Sequence, residues 1–239
     1  MREGSKCYNS APMQGRRLVL CAVAACAPSL AVPALAGTVA GRVELLDKGG
    51  RRATDLSDVV VYVEGVPGKP RTPKTIAGTL TMKGKAFNPH VLVIPVGGTV
   101  DFPNEDPIFH NAFSVSGNNR FDLELYKRPK SGVFTFQYPG IVKVYCNIHP
   151  QMSAVIVVRD NPFYTMAAQD GTFSIDKVPA GRYTLTAWHE RVPVPASADL
   201  EVPAEGRVEG ELKLDASNYK REPHKNKFGK DYTQTEDKY

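Results

Sequence analysis

The chain has 239 residues, four cysteines and a formal net charge of +5. Its first 36 residues hold four basic side chains against one acidic, so only +2 remains afterwards, too little to indicate nucleic-acid binding. No later segment holds the roughly 18 consecutive apolar residues of a membrane-spanning helix. The roughly two hundred residues that remain suffice for two small domains.

Residues 1–36 have the pattern of a secretory signal peptide. A pair of arginines is followed by an Ala-rich apolar run, which ends in a small-x-small cleavage site at 34–36. A membrane anchor is the alternative, but Pro28 and Pro33 interrupt the run and disfavour a stable spanning helix. The sequence therefore predicts export to the periplasm and a mature chain that begins at Gly37, with no transmembrane segment.

From Gly37 onward the pattern predicts strands and turns, because apolar and polar residues alternate with period two and no window holds a helical period. We therefore expect an all-β fold. In the segment 37–66, one strand face carries Val39, Val43 and Leu45. A proline-rich stretch then marks a boundary.

The next segment, 67–159, contains about eight predicted strands at the spacing of a β-sandwich. Two of them, Val91–Val96 and Thr99–Pro103, are predicted to form a hairpin across Gly97 and Gly98. We expect this segment to be one domain.

The segment 160–216 has its own alternation, with five inward positions: Phe173, Ile175, Tyr183, Leu185 and Ala187. It resembles the second half of the carboxypeptidase regulatory-like, transthyretin-type β-sandwich, an immunoglobulin-like architecture, and 37–66 resembles the first half. The resemblance implies a second small sandwich, split by the insertion of 67–159. Two sequential domains are the alternative, but each remnant would then lack a complete core. For the charged tail 217–239, which has no apolar period, disorder is expected.

Cysteine usage directs attention to one residue. Three cysteines lie in the leader, so Cys146 is the only thiol of the mature chain and forms no intrachain disulfide. Cys146 ends a predicted strand, and His149 and Met152 follow at two-residue spacing in a short loop. A second imidazole, His110, lies in the loop after the strand Thr99–Pro103. A thiolate, two imidazoles and a weak axial thioether are the donors of a blue-copper centre.

Residues 86–160 resemble the plastocyanin/azurin family of cupredoxins. The loop Cys-x2-His-x2-Met is similar to that of amicyanin, and the patterns that precede it match Phe87–Pro89, Gly97–Asn104 with one extra residue, and His110-Asn111. The resemblance implies a Greek-key sandwich that binds one type 1 copper.

In that resemblance the equatorial ligands are His110, Cys146 and His149, the axial ligand is Met152, and Asn111 braces the ligand loop by hydrogen bonds. Two departures affect the surroundings of the ligands and not the ligands themselves: Ser153 and Ala154 replace a glycine, and Glu105 and Asp106 place acidic groups near His110.

The resemblance also implies single-electron transfer through the exposed edge of His149. We expect an apolar docking patch of Ile108, Phe109 and Pro150 for a redox partner such as a cytochrome or a periplasmic dehydrogenase. An enzyme is not expected, because four ligands leave no open position. A periplasmic copper carrier or buffer, and an exported binding scaffold with structural copper, stay open. Zinc is disfavoured by the thioether. His90 is interpreted as a surface histidine, with an accessory ligand as the open alternative, and His189 and His224 are interpreted as solvated.

Overall fold

The computed structural model describes residues 36–68 and 76–232; the predicted leader, except Ala36, lies outside this range. Within it the chain forms strands and one 3₁₀ turn, Lys48–Gly50, with no α-helix, so the all-β prediction is confirmed. In the described part, no helix is long and apolar enough to cross a membrane. The strands are β1 (Ala36–Asp47), β2 (Arg51–Arg52), β3 (Val60–Glu64), β4 (Ile76–Thr79), β5 (Thr81–Lys83), β6 (Ala86–Asn88), β7 (Val91–Pro95), β8 (Thr99–Pro103), β9 (Phe113–Ser114), β10 (Phe121–Asp122), β11 (Ser131–Thr135), β12 (Gly140–Tyr145), β13 (Ser153–Arg159), β14 (Tyr164–Met166), β15 (Thr172–Pro179), β16 (Gly181–Trp188), β17 (Ala196–Val202) and β18 (Arg207–Asp215).

Strands that precede and follow the segment 76–159 share one apolar core, and we call this unit the outer sandwich. One sheet has the order β15-β1-β18, with β2 beside β1, and the other has the order β14-β3-β16-β17. The predicted inward residues belong to the core between them: Val39, Val43 and Leu45 of β1 and Phe173 of β15 come from one sheet, and Leu185 of β16 comes from the other. This is the pairing that an inserted domain would produce; the domain boundaries themselves stay a prediction.

The strands β4–β13 form a second unit, which we call the Cys146 sandwich. Its larger sheet has the order β10-β9-β12-β13-β7, and it is completed by the sheet β11-β8-β4 and the ribbon β5-β6. Aromatic and branched side chains close the core between them, among them Phe102, Phe136, Ile94 and Ile156. Cys146 and Met152 belong to the same cluster, at one end of β12 and β13.

The predicted hairpin across Gly97 and Gly98 is wrong. Strand β7 pairs in parallel with β13, whereas β8 pairs with β11 and β4 in the other sheet. The two glycines therefore carry the chain from one sheet to the other, and Gly97 N donates to Phe136 O at 2.7 Å. Local alternation identifies strands but does not reveal which neighbour each strand chooses.

The two sandwiches meet in an apolar junction. Val60, Tyr62 and Trp188 of the outer sandwich pack against Val91, Val155 and Val157. Strands β3 and β13 are consequently buried on both faces, which explains their nearly continuous apolar sequences. Strand β13, which contributes Val155 and Val157 to the junction, starts directly after Met152, so the junction adjoins the predicted ligand loop in sequence.

Candidate metal centre

Three of the predicted ligands come together at one end of the Cys146 sandwich. The donor atoms of His110, Cys146 and His149 all lie within 4.8 Å of one another, and the three side chains are buried. The Nδ1 atoms of His110 and His149 are 3.0 Å apart, and Cys146 Sγ lies 3.6 Å from His149 Nδ1. Among the residues described, this is the group of such side chains that could hold a metal ion.

These separations suit a metal. An ion bound at about 2.0 Å from nitrogen and about 2.3 Å from sulfur in a trigonal plane holds two nitrogens about 3.5 Å apart, and nitrogen and sulfur about 3.7 Å apart. In the structure the nitrogen–sulfur separation of 3.6 Å is close to its value and the nitrogen–nitrogen separation of 3.0 Å is somewhat shorter, while all three donor atoms lie within 4.8 Å of one another. Thiolate and imidazole together favour copper, zinc or iron over the hard cations.

Met152 lies beside this group. Its carbonyl accepts from Cys146 N at 3.3 Å, its amide donates to His149 O at 3.0 Å, and its side chain is fully buried. These two bonds fold the loop between β12 and β13 into a tight turn. The fourth predicted ligand therefore belongs to the same buried end of the core as Cys146.

The position of His110 is fixed by its backbone and by a carboxylate. Its amide and carbonyl exchange two hydrogen bonds with Tyr126, each of 2.9 Å. Its Nε2 donates to Asp106 Oδ2 at 2.7 Å, which assigns the proton to Nε2 and leaves the Nδ1 lone pair facing Cys146 and His149. The sequence identified Asp106 only as an unusual neighbour; in the structure it orients His110, a predicted ligand.

Asp106 is held as a carboxylate by several donors. Partial burial by itself would raise its pKa, but hydrogen bonds from Lys85 N, Gly84 N and His110 outweigh that effect and hold the pKa of Asp106 below its usual value. Its neighbour Glu105 instead forms a surface ion pair with Lys83 at 2.9 Å. Of the two acidic departures, one therefore contacts the site and the other does not.

Two buried asparagines support the loops that carry the predicted ligands. Asn111 Oδ1 accepts from Asn147 N at 3.1 Å, which is the brace that the resemblance implied. Asn104, which the sequence did not single out as a site residue, donates to Ile108 O at 3.0 Å and to Tyr126 O at 2.8 Å. Its place at the end of the matched pattern Gly97–Asn104 was the available signal.

The predicted docking patch is only partly exposed. Phe109 is 38% exposed and lies under Lys127 Nζ at 5.3 Å, and Pro150 is exposed, whereas Ile108 is half-buried. The prediction of an exposed His149 edge is wrong, since this side chain is only 3% exposed. The surface next to it is contacted by the C-terminal residues.

The remaining histidines lie outside the group of three. His90 Nε2 pairs with Glu190 Oε1 at 2.8 Å, and that hydrogen bond raises the pKa of His90. The expectation of a solvated His189 is wrong, because it is 5% exposed and burial lowers its pKa to about 4. His224 stacks on Tyr145 with ring centroids 3.9 Å apart.

Residues 217–232 differ from the predicted disorder. They form no strand, yet Lys227 N, Tyr232 Oη and His224 Nε2 all bond to the loop that follows β12. No local sequence pattern could reveal these contacts, because polar side chains form hydrogen bonds with water and with a protein surface equally well. The predicted tail residues after 232 lie outside the described range.

Comparison with known families gives one match. The model of the family described as polysaccharide lyase family 4, domain II, an fn3-type domain, matches residues 145–208, which run from the ligand loop through β17. The carboxypeptidase regulatory-like assignment therefore stays a prediction. No curated protein matches the chain.

Solved structures similar to the chain include cupredoxins. A copper-containing nitrite reductase from Thermus scotoductus is 30% identical over 39% of this chain and 27% of its own length, with a TM-score of 0.34. A purple cupredoxin from Nitrosopumilus maritimus is 20% identical over 49% of this chain and 99% of its own, with a TM-score of 0.29. A reduced amicyanin variant is 19% identical over 41% of this chain and 98% of its own, with a TM-score of 0.33.

Proposed function

We propose that this chain is an exported type 1 (blue) copper protein that carries single electrons between redox partners and is not itself an enzyme. The observation that carries the proposal is the buried convergence of Cys146 Sγ with the imidazoles of His110 and His149, donor atoms all within 4.8 Å. One copper ion per chain, when bound there, supplies reversible one-electron exchange. Met152 is the proposed axial ligand.

The chain's own residues hold these donors still. The backbone pair with Tyr126 and the bond to Asp106 fix His110, and the bond from Asn147 N to Asn111 fixes the loop of Cys146. A donor set held in one geometry has little to rearrange when the charge at the site changes, and this favours electron transfer. With four donors in place, no position stays open for a substrate.

The proposed partner is another exported redox protein, such as a cytochrome or a dehydrogenase. The exposed ring of Phe109 and the exposed Pro150 offer apolar contact beside the site. Lys127, which lies over the Phe109 ring, adds positive charge to the same area. A partner with an acidic rim around an apolar centre fits this surface.

The visible absorption spectrum of the Cu(II)-loaded protein tests the proposal. We expect an intense thiolate-to-copper band, and Cys146→Ser should abolish it because a hydroxyl cannot supply that transition. His90→Gln is the matched control, since His90 lies outside the group of three, and it should keep the band. A colourless wild-type complex would refute the blue-copper assignment.

Two rates separate electron transfer from the alternatives. An electron carrier keeps its copper while it exchanges electrons, so release of copper to a chelator should be far slower than reduction by a small-molecule donor. The opposite order would favour the copper carrier or buffer. Tight copper without measurable electron exchange would favour the scaffold with structural copper.

A further inference from the structure

The C-terminal segment, which we define as residues 217–232, lies on the loop that carries the proposed ligands. Tyr232 Oη donates to Cys146 O at 2.8 Å, and Lys227 N donates to Asn147 Oδ1 at 3.0 Å. His224 Nε2 donates to Pro150 O at 2.8 Å. Three separate points of the loop 146–150 are therefore bonded to a segment from outside both sandwiches.

One of these contacts closes a ring of hydrogen bonds. Asn147 N donates to Asn111 Oδ1 at 3.1 Å, and Asn111 Nδ2 donates to Asp122 Oδ1 at 2.7 Å. Lys227 Nζ bonds the other oxygen of Asp122 at 2.6 Å, while Lys227 N bonds Asn147 Oδ1. The side chain that braces the ligand loop is thus itself tied to Lys227 through Asp122.

The ammonium group of Lys227 is held firmly. Its side chain is 19% exposed, and it also bonds Glu124 Oε2 at 3.1 Å. The hydrogen bond to Asp122 raises the pKa of Lys227 above its ordinary value. Charge-assisted hydrogen bonds in a partly desolvated place are the stronger kind, so this contact outweighs an ordinary surface ion pair.

Aromatic contacts extend the same interface. The ring of His224 stacks on Tyr145, the residue before Cys146, with an interplanar angle of 19°. Tyr232 meets the His224 ring edge-on, with centroids 5.2 Å apart. The segment is also shaped internally, since Asn226 Oδ1 accepts from the amides of Phe228 and Lys230. It therefore contacts the loop as a hydrogen-bonded turn.

We propose that the C-terminal segment is a wall of the metal site, in which Lys227, His224 and Tyr232 act as positioning residues for the ligand loop. They hold the loop in its ligand geometry and limit the access of solvent and reagents to Cys146 and His149. The identity of the metal rests on the proposed function, but the positioning role applies to the metal-free protein as well. Electron exchange at the His149 edge then requires either that the wall moves away or that the electron passes through it.

The first test measures how fast an aromatic disulfide reagent modifies Cys146 in the otherwise unchanged, metal-free protein. Lys227→Gln removes the bonds to Asp122 and Glu124, and we expect modification to become about tenfold faster through more frequent opening of the loop. Tyr232→Phe, which removes only the hydroxyl, should give about a threefold increase. Lys227→Arg keeps the charge and should restore the slow rate.

Matched controls come from the same segment. The side chain of Lys225 bonds only Asp231 among the contacts described for it, and its carbonyl contact with His224 Nδ1 involves the backbone, which a substitution keeps. Tyr219 is 41% exposed. Lys225→Gln and Tyr219→Phe should therefore react at the wild-type rate. Thermal unfolding of each variant verifies that the protein is folded. Equal rates for wild type, Lys227→Gln and Tyr232→Phe would overturn the proposal, as would equal acceleration by the controls.

A second measurement links the wall to the proposed metal. In Cu(II)-loaded protein, Lys227→Gln should shift the energy of the thiolate-to-copper band and speed copper release to a chelator, whereas Lys225→Gln should change neither. If the unaltered protein shows no such band, the blue-copper function fails while the thiol-modification rates still decide the positioning role. If the band is present but the variants leave it and the thiol rates unchanged, only the wall fails.

Discussion

The two sandwiches build similar apolar cores but bury polar side chains very differently. Among the residues described, the outer sandwich buries Asn161, Thr186 and His189. The described part of the Cys146 sandwich buries six polar side chains: Asn104, His110, Asn111, Ser114, Asn119 and His149. Four of these, Asn104, His110, Asn111 and His149, lie on or support the two loops around Cys146.

This difference in buried polar side chains distinguishes the sandwich that holds the candidate metal centre from the outer sandwich. Each buried polar group costs free energy unless its hydrogen bonds are made, so a cluster of them at one end of a core requires a compensating network. In the Cys146 sandwich that network extends to Asp106 and, through Asp122, to Lys227. The outer sandwich has no comparable concentration among the residues described, and its contribution is to bury both faces of β3 and to support β13.

The largest expected effect on the free energy of unfolding comes from a substitution within the outer sandwich. Gly41 of β1 lies opposite Gly210 of β18, and a Cβ on Gly41 would come within 1.8 Å of Gly210 O. The strands would have to separate, so Gly41→Ala should lower the free energy of unfolding by about 4 kcal/mol. Chemical denaturation followed by fluorescence measures this loss.

The same variant tests whether the two sandwiches unfold together. Trp188 is the only tryptophan and lies in the junction, so its fluorescence reports the contact between the units. We expect Trp188 fluorescence and Cys146 reactivity to change in one transition. Two separate transitions would mean that the sandwiches are independent. Gly206→Ala is the control, because open space surrounds that glycine and only its positive φ resists the change.

The second largest effect concerns pH at the junction side of the outer sandwich. Burial lowers the pKa of His189 to about 4. Between about pH 6.5 and pH 4, His189 is therefore protonated in the unfolded chain but neutral in the folded chain. The stability from neutral His189 is therefore present above pH 6.5 and is lost as the pH falls through this window, by up to about 3 kcal/mol.

The comparison with His189→Gln isolates this contribution. The raised pKa of His90 acts in the opposite sense, adding stability below pH 6.5 that is lost as the pH rises through its folded pKa. The difference in unfolding free energy between wild type and His189→Gln should therefore be measured at both ends of the window. A difference that stays constant from pH 7 to pH 4.5 would contradict the prediction.

The smallest of the three effects distinguishes the two sandwiches directly. Asn104 and Asn161 are both buried and both bond backbone groups, Asn161 donating to Val63 O at 2.9 Å. Replacing either by alanine should lower the unfolding free energy by about 2 kcal/mol, because backbone groups lose their partners. Only Asn104→Ala should also speed the modification of Cys146, since Asn104 anchors the loop that carries His110. Equal acceleration by both would remove the distinction.

Much of the fold and of the site could be predicted before any coordinates. Period-two alternation predicted the strands and the inward faces of β1, β15 and β16, because a half-buried strand must alternate. The alternation did not predict that β7 pairs with β13 and not with β8. Strand pairing depends on which apolar surfaces elsewhere in the protein have to be buried, and local alternation does not contain that information. The burial of His189 escaped prediction for the same reason.

The sequence by itself determined three of the four proposed ligands, because Cys146, His149 and Met152 follow one another on a strand and its turn, where a few dihedral angles fix their relation. His110 lies in a separate loop, and the family resemblance supplied it. Only the tertiary structure decided what surrounds them. Lys227 meets Asn147 across 80 residues, and Tyr232 meets Cys146 across 86. Such contacts involve polar groups that could form hydrogen bonds with water equally well. Which groups pair is therefore decided by the surface that the folded chain presents and not by any local sequence pattern.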